Sequence, residues 1–434
     1  MTAPITTPPD LDALGIALPA GYRLAELDDT GDREALLDID RWAFADFTEP
    51  EDEAVWRWPL EAGRSVGVWD ERGDAPRLVA AHSSYAFTLP VPGGSRVPTA
   101  GLTWVSVHPG HRRRGLARAM VVTHLHRAIA RGEVVSALNA AEAGIYGRYG
   151  YGIATRHVHM TLPRRAALRE VPGSDDLLVE LESADTARHA ALVQQVHAAV
   201  DRPGWITRDT PVLRRRPLLD RPSERRGAEP LRIAVVRSAA GEPRGYAIFR
   251  RHSSWSAAHD PQGVVKVREA VALDAAAARA LWGTLTDLDL MSSAETGELA
   301  PDDALRGLVV DHRAAHAVEH DGVWLRLLDV PGALSARHYQ ARVDVVLEVR
   351  DTLLPANAGR WHLRGGPDGA SVVPATGDAD LALGVADLAA AYLGGTSLGA
   401  LALAGRVDEV TPGTLAAASA AFGWPVAPTM SWGF

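Results

Sequence analysis

The segment around residue 110 constrains the fold most, because it joins a strand-like run to a helix-like run through a basic turn. Residues 99–107 predict a strand, and the apolar positions after Gly115 keep helical spacing until Gly132. Such a junction points several backbone N–H groups and the positive end of the helix dipole at one place. The sequence therefore predicts an anion-binding turn inside a mixed α/β unit. The candidate binding residues are, in order, Val105, Ser106, Val107, Arg112, Arg113, Arg114, Gly115, Leu116, Ala117 and Arg118.

The chemistry of this turn indicates a diphosphate ligand. Gly115 lets the backbone approach closely, and the three arginines before it add charge-assisted donors. No Lys-Ser or Lys-Thr pair follows the glycine, which argues against a P-loop nucleotidase. The missing GxGxxG pattern argues equally against a dinucleotide-binding fold. A solvated basic turn stays open as the alternative, since arginines often cluster on loops.

Composition narrows the partners and the chemistry. The 45 basic and 54 acidic residues give a net charge of −9, which argues against nucleic acid and favours a cationic small molecule. There are no cysteines, so disulfides, thiolate metal sites and a cysteine nucleophile are excluded.

Two segments bear on location. Residues 1–10 are polar and proline-rich, without the basic start and apolar core of a signal peptide. Residues 388–405 are uncharged and approach the length of a membrane span, but Gly394, Gly395 and Gly399 interrupt them. Two buried helices joined by a Gly-Gly-Thr-Ser turn fit this stretch better than a span. We therefore expect a cytoplasmic protein.

The order of predicted elements divides the 434 residues into three units. In the first unit a helix and four strands surround the basic turn, at residues 33–47, 65–69, 78–89, 99–107 and 134–138. The second unit repeats the order of hairpin, strand and helix, at residues 231–250, 264–273 and 274–285. Its strand-to-helix turn has neither the glycine nor the arginines. We interpret it as a degenerate copy that does not bind the same ligand.

The third unit begins near residue 323 and combines both element types. Its predicted helices and strand are at residues 332–341, 343–349, 378–393 and 398–405. The chain closes on Trp432, Gly433 and Phe434. An aromatic last residue is unusual for a frayed tail, because free termini are poorly ordered unless they are tied down.

Three tyrosines follow the strand at 134–138 and offer an acid. Tyr146, Tyr149 and Tyr151 lie in the run Gly-Ile-Tyr-Gly-Arg-Tyr-Gly-Tyr-Gly. A phenol with a pKa of about 10 can protonate a departing thiolate while staying neutral at physiological pH. Packing is the commoner role of any one tyrosine, and chemistry alone leaves the choice among the three open.

The motif Val-x-Val-x-x-x-x-Arg-Arg-x-Gly-Leu resembles the acetyl-CoA signature of the GNAT acetyltransferases. This resemblance implies that the strand carrying Val105 and Val107 splays from its neighbour, that its free edge pairs with the pantetheine arm, and that the turn binds the pyrophosphate. Together with the tyrosine run and the terminal aromatic residue, the whole chain resembles the Eis (enhanced intracellular survival) family. The resemblance implies a GNAT domain at 1–162, a degenerate GNAT-like domain at 163–320 and a sterol-carrier-like α+β domain at 321–434.

The family pattern assigns roles to particular residues. It makes Tyr146 the general acid and the α-carboxylate of Phe434 the general base. The acceptor residues it implies are Phe44, Asp46 and Trp56, and the further cofactor contacts are Ala141 and Glu142. It also implies a homohexamer built as a trimer of dimers.

Two positions depart from that pattern. Gly433 stands where members of the family carry an acidic residue, which removes a charge that would bind a cationic acceptor. Ala141 replaces a serine, which costs at most one hydrogen bond to the cofactor.

The resulting hypothesis is an acetyl-CoA-dependent amine N-acetyltransferase without a metal. Its acceptors would be aminoglycosides, polyamines or lysine side chains, and direct attack in a ternary complex is expected because no cysteine can carry the acetyl group. The alternatives are a lipid or apolar-ligand carrier acting through residues 323–434 and a non-catalytic acetyl-CoA sensor.

Overall fold

The computed structural model describes residues 16–28, 31–45, 52 and 60–434. Two of the predicted acceptor residues, Asp46 and Trp56, lie outside the described residues. Strands and helices are numbered along the chain below. The described part forms three large sheets with helices packed on them, which confirms the mixed α+β class.

The first sheet carries the basic turn. Helix α1 (Arg33–Phe44) and helix α2 (Leu116–Ala130) pack against it. Both predicted helices therefore form, and α1 ends three residues earlier than expected because Ala45 adopts a left-handed backbone conformation. The strand order is β1 (Tyr22–Glu26), β2 (Val66–Asp70), β3 (Arg77–Pro90), β4 (Arg96–Val107), β5 (Val135–Asn139), β15 (Val323–Leu327) and β6 (Gly152–Ile153).

The second sheet repeats the hairpin, strand and helix. Its order is β8 (Thr161–Pro163), β13 (Met291–Glu295), β12 (Gly263–Ala272), β11 (Pro243–His252), β10 (Arg232–Arg237) and β9 (Leu178–Ser183). Its helices are α3 (Thr186–Ala198), α4 (Pro211–Arg215), α5 (Pro222–Arg225), α6 (Ala275–Thr286) and α7 (Ala304–Leu308). Strands β7 (Arg156–His159) and β14 (Val318–Asp321) form a separate two-stranded antiparallel ladder, with β7 before and β14 after the second unit in the chain.

The third sheet has the order β18 (Gly369–Pro374), β17 (Gly359–Gly366), β16 (Val343–Arg350), β19 (Leu381–Gly384) and β20 (Val407–Glu409). Its helices are α8 (Val330–Ala336), α9 (Val385–Ala391), α10 (Leu398–Leu403) and α11 (Thr414–Phe422). The turn between α9 and α10 contains Gly394 and Gly395, so the uncharged stretch forms two short helices as expected. The first is largely buried, whereas the second buries only Leu398 and Leu401 and leaves Leu403 exposed. Among the residues that the structure describes, no helix is both long and apolar enough to cross a membrane.

Two helix predictions in this unit are wrong in extent. The helix expected at 378–393 begins only at Val385, because residues 381–384 pair with β16 on one edge and β20 on the other, and these ladder bonds outweigh local helix propensity. The helix expected at 332–341 spans Val330–Ala336 instead. It begins earlier because the Asp329 carboxylate accepts from the Gly332 N–H at 3.0 Å, and it ends where the buried Arg337 turns toward the carbonyls of Tyr392 and Phe422.

Strands cross between the units. Strand β15, expected to open the third unit, pairs antiparallel with β5 and β6 in the middle of the first sheet. Strand β8, at the end of the first unit, pairs with β13 of the second sheet. The limits drawn at 162 and 320 stay predictions, and the sheets do not follow them. One apolar cluster joins the first sheet to the third through β15, so these two units share a core.

Candidate active site

Strands β4 and β5 diverge and leave a cleft in the first sheet. They are hydrogen-bonded only over Thr99–Gly101 of β4, opposite Val135–Ala137 of β5. Beyond Gly101, β4 keeps its pairing with β3 alone, and a bulge in that pairing places Trp104 at a φ of 55°. The strand edge that carries Val105 and Val107 is therefore unpaired on the side of β5. Ser106 is buried and its hydroxyl points to the Trp104 carbonyl and to Asp40, so its backbone is what remains for a ligand.

The basic turn after β4 ends at the exposed N-terminus of α2. Gly115 is the residue before the helix, with a φ of 80°, and it provides no side-chain cap. The backbone N–H groups of residues 113–118 have no protein acceptor among the described residues. The side chains of Arg112, Arg113, Arg114 and Arg118 are exposed around them. This arrangement fits a diphosphate, because the unpaired backbone N–H groups, the positive end of the helix dipole and the guanidinium groups all point to one place.

The equivalent turn of the second sheet is closed to an anion. Helix α6 follows β12, and the Asp274 carboxylate accepts from the Ala277 N–H at 2.8 Å at the start of α6. Arg244 pairs with the same carboxylate. A fixed negative group thus occupies the position that a phosphate would take. This is the physical basis for the second unit's degeneracy.

The chain end reaches the cleft of the first sheet. The backbone N–H of Phe434 donates to the Asn139 amide oxygen at 3.1 Å, at the end of β5. The Phe434 ring packs on Phe87 with centroids 4.7 Å apart, and Gly101 lies beneath both rings, since a Cβ there would contact each of them. Trp432 and Tyr85 complete this aromatic group. The terminal residue is therefore fixed at the point where β4 and β5 separate.

Residues 429–431, which precede the chain end, are also fixed by hydrogen bonds. Thr429 donates its N–H to the Pro203 carbonyl at 3.1 Å, and the Ser431 hydroxyl donates to the Ile206 carbonyl at 2.8 Å. Both acceptors belong to the second unit, whereas Asn139 belongs to the first. The tail thus connects the two units beside the cleft.

The three tyrosines differ in their contacts. The Tyr151 hydroxyl is bonded to Ser136 at 2.7 Å, and Ser136 is bonded in turn to the buried His124, so Tyr151 has a structural role. The hydroxyls of Tyr146 and Tyr149 make no hydrogen bond with any described residue. Burial, with smaller effects of Tyr149 and Glu142, raises the pKa of Tyr146 to about 12. Glu142 lies beside the basic turn, 3.9 Å from the Arg112 guanidinium, and the neighbouring Ala141 is exposed.

A cavity of about 580 Å³ adjoins the cleft and is lined by all three parts of the chain. Leu37, Asp40, Tyr85 and Trp104 come from the first unit, and residues 430–433 come from the tail. The second unit supplies the remaining wall, including Trp205, Arg216 and Glu298. This is the space in which an acceptor would meet the cleft.

Of the three predicted acceptor residues, only Phe44 belongs to the described part of the chain. Phe44 is 45% exposed and is not among the described residues that line the cavity, although it follows Asp40 by one helical turn on α1. Asp46 and Trp56 fall outside the described residues. Sequence reasoning missed Asp40, Trp104 and Asn139. The position of Asp40 one turn before Phe44, and of Trp104 beside Val105, could have drawn attention to two of them.

A second polar cluster lies at the edge of this cavity. His157, Glu298 and His320 bring one ligand atom each within 4.8 Å of one another, and His157 Nδ1 lies 3.0 Å from the Glu298 carboxylate. These residue types could hold a divalent cation after a small shift. The hydrogen bond between His157 and Glu298 accounts for their close approach without a metal, and the expectation of a metal-free protein stays a prediction.

Comparison with known proteins identifies the class. Residues 25–154 and 204–327 each match the acetyltransferase (GNAT) domain, and residues 330–431 match the sterol carrier protein domain. The protein is therefore an acetyltransferase with two GNAT domains and a sterol carrier domain.

Full-length relatives narrow this class to one family. An uncharacterized N-acetyltransferase of Streptomyces avermitilis is 43% identical over 387 residues, covering 88% of this chain and 92% of the relative. The N-acetyltransferase Eis of Mycobacterium tuberculosis is 34% identical over 391 residues, with 88% and 92% covered. The crystal structure of Eis1 from Mycobacterium abscessus superposes with a TM-score of 0.79 at 33% identity, covering 95% of this chain and all of that one. The chain belongs to the Eis family of N-acetyltransferases.

Proposed function

We propose that the protein transfers the acetyl group of acetyl-CoA to an amine within the cleft of the first sheet. The proposal rests on three features that lie together at the cleft. They are the unpaired edge of β4, the unpaired backbone N–H groups at the start of α2, and the chain end, which is bonded to Asn139. The N–H groups hold the pyrophosphate, and the β4 edge pairs with the pantetheine arm. Aminoglycosides, polyamines and lysine amines are the acceptor classes proposed.

The reaction proceeds by direct attack. The amine nitrogen bonds to the thioester carbonyl carbon, the carbon–sulfur bond breaks, and sulfur leaves with the electron pair. The nitrogen's proton passes to the terminal carboxylate of Phe434, directly or through water. A carboxylate with an ordinary pKa of about 3.5 is a weak base, so it is effective only after bonding to carbon has made the N–H acidic.

Tyr146 acts on the departing sulfur. Its pKa of about 12 keeps the phenol protonated at every physiological pH. A thiol has a pKa of about 8.5, so complete transfer of the phenol proton is uphill by roughly 5 kcal/mol. We therefore assign Tyr146 chiefly to hydrogen-bond donation toward the thiolate, with the proton finally supplied by solvent.

The proposal is tested by blocking the chain end. A few residues appended after Phe434 move the free carboxylate out of the cleft, and turnover with kanamycin and with spermidine should fall by about a hundredfold or more, within the usual range for loss of a general base. The same residues placed before Met1 are the control. Thiol release from acetyl-CoA measures turnover, and equilibrium titration measures cofactor affinity.

Three results distinguish the proposed mechanism from the alternative hypotheses. Equal activity of the extended and native proteins rules out the terminal-carboxylate mechanism. Binding of acetyl-CoA without turnover of any amine by the native protein favours the non-catalytic sensor. Absence of acetyl-CoA binding removes the proposal altogether.

Assembly and location are further proposals. The family resemblance supports a homohexamer arranged as a trimer of dimers, which mass measurement of the native protein by light scattering would test. The requirement for acetyl-CoA supports a cytoplasmic location, which fractionation of the producing cell would test.

A further inference from the structure

The cavity wall contains an arginine that forms no ion pair with a described carboxylate. The Arg216 guanidinium lies 4.6 Å above the ring of Trp432, two residues before the chain end, and both line the cavity. No carboxylate of the described residues forms an ion pair with Arg216, and none of its guanidinium nitrogens donates to an acceptor among them. Its Nη1 atom is buried in that state.

The neighbouring arginines of the cavity are all engaged. Arg208 forms a two-pronged pair with Glu269. Arg268 donates to Glu224 at 2.5 Å and to the Leu219 carbonyl at 2.7 Å. Arg221 shares Glu224 as a partner. Arg216 forms no ion pair in this network, although the nearby Glu224 carboxylate acts on its charge without a direct contact.

A second donor beside Arg216 is also unused. The indole N–H of Trp432 is buried and has no acceptor among the described residues. Leaving a buried donor unpaired is unfavourable, and more so for a charged group. Burial lowers the pKa of Arg216 despite the opposing effects of Tyr85 and Glu224. The Arg216 Nη1 and Trp432 Nε1 atoms are both closed to solvent, whereas the Nε and Nη2 atoms of Arg216 make no hydrogen bond with a described residue and remain open to a ligand that brings its own oxygen atoms.

Charge is distributed unevenly along the cavity. Asp40 lies at the cleft end, where its carboxylate is 3.5 Å from the Ser106 hydroxyl of β4. Arg216 lies at the tail, over Trp432. A guanidinium matches a carboxylate in geometry and repels a second ammonium group. A zwitterionic acceptor matches the charge at both ends of this cavity, whereas a polycation matches only the charge of Asp40.

We propose that the preferred acceptor is an amine that also carries a carboxylate, with the amine toward the cleft and the carboxylate on the Arg216 guanidinium. This inference rests on the proposed acetyl transfer and names the acceptor class for the same site. Among the three proposed acceptor classes it favours a lysine-like amino acid over polyamines and aminoglycosides.

The test compares lysine, lysinamide and cadaverine as acceptors. Cadaverine is lysine without its carboxylate, and lysinamide keeps the carbonyl but not the charge. With native protein, kcat/KM should be about tenfold to a hundredfold higher for lysine than for cadaverine, which corresponds to one charge-assisted interaction. Lysinamide should resemble cadaverine. The difference should appear in KM, because the carboxylate does not change during the reaction.

Variants assign the preference to one residue. Arg216→Met should lower the lysine-to-cadaverine ratio of kcat/KM by about tenfold, and Arg216→Lys should keep an intermediate ratio. Arg215→Met is the matched control, because Arg215 is exposed at the end of α4 and does not line the cavity. It should leave the ratio as in native protein.

Each outcome bears on a separate claim. Equal kcat/KM for lysine and cadaverine with native protein overturns the inference while leaving acetyl transfer intact. An unchanged ratio in the folded Arg216→Met or Arg216→Lys protein overturns the assignment to Arg216. Absence of turnover with every amine, despite acetyl-CoA binding, is failure of the proposed function instead. If Arg216→Met does not fold, the native series and Arg216→Lys still decide.

Discussion

At the scale of single residues, Tyr146 differs from Tyr151 in what its hydroxyl contacts. Tyr151 is bonded to Ser136, whereas the Tyr146 hydroxyl has no hydrogen-bond partner among the described residues. Resemblance selected Tyr146 from the sequence, and the hydrogen bonds independently remove Tyr151 as a candidate. They leave Tyr149, which is also buried.

Removing the Tyr146 hydroxyl should therefore separate chemistry from binding. We expect Tyr146→Phe to lower kcat by about a hundredfold, because a developing thiolate loses its donor, and to change acetyl-CoA affinity less than twofold. Tyr149→Phe is the matched control and should keep most of the activity. A large loss in Tyr149→Phe with little in Tyr146→Phe would assign the acid to Tyr149.

Buried histidines give the protein a predictable response to acid. Burial lowers the pKa of His82 to about 3, and burial with the nearby His82 lowers the pKa of His124 well below its usual value. Protonation therefore opposes folding, and their stabilising contribution is complete above about pH 6.5 and decreases as the pH falls below it.

The free energy of unfolding should decrease by about 1.4 kcal/mol per pH unit for each such histidine below pH 6. Urea unfolding at pH 7, 6 and 5 measures this slope. His82→Gln should lower the slope of the unfolding free energy against pH by the share of one histidine, about 1.4 kcal/mol per pH unit. His312→Gln, at an exposed site, should leave the slope unchanged. A slope that His82→Gln does not alter would show that other groups control acid stability.

At the scale of elements, the turn before α2 depends on its backbone conformation. Gly115 has a φ of 80°, and a side chain there would meet no neighbouring atom, so strain alone opposes substitution. A residue with a Cβ costs about 1–2 kcal/mol in this conformation and relaxes the turn away from its ligand-binding shape.

Gly115→Ala should raise the acetyl-CoA dissociation constant about fivefold, the equivalent of ~1 kcal/mol. Gly94→Ala provides the control, because Gly94 has a φ of 83° and equally open surroundings in the turn between β3 and β4. It should lower stability to a similar extent without changing cofactor affinity. Equal effects of both substitutions on affinity would mean that the turn acts only through global stability.

Elements with strong local signals could be predicted from the sequence. The basic turn, α2, the repeated hairpin and the two helices around Gly394 each have a pattern that local physics determines. Residues 381–384 could not be predicted, since a short apolar run becomes a strand only through partners on both edges. The cavity could not be predicted either, because Asp40, Arg216 and Trp432 are far apart in the chain and meet only after packing.

At the scale of the whole molecule, the first and third units are one folding body. Leu325 of β15 is fully buried and belongs to the apolar cluster that spans both sheets. The second sheet has clusters of its own, which include Leu281 of α6. Stability should therefore be shared most closely between the first and third units, although Ile206 and Leu213 of the second unit also belong to that cluster.

Leu325→Ala should cost about 2–5 kcal/mol and lower amide-exchange protection in β5 and β16 together. Leu281→Ala, a cavity of the same size in the second core, should lower protection in β10 to β12 and spare β5. Loss of protection confined to β5 in the Leu325→Ala protein would contradict a shared core.

The insertion of β15 between β5 and β6 has a consequence for synthesis. The ribosome releases β5 about 180 residues before β15, a delay on the order of ten seconds or more. Throughout that interval β5 has an unpaired edge, at which another strand can pair incorrectly. The catalytic sheet is thus assembled late, and chaperones that cover exposed strand edges should associate with the emerging chain until residue 327 has left the exit tunnel.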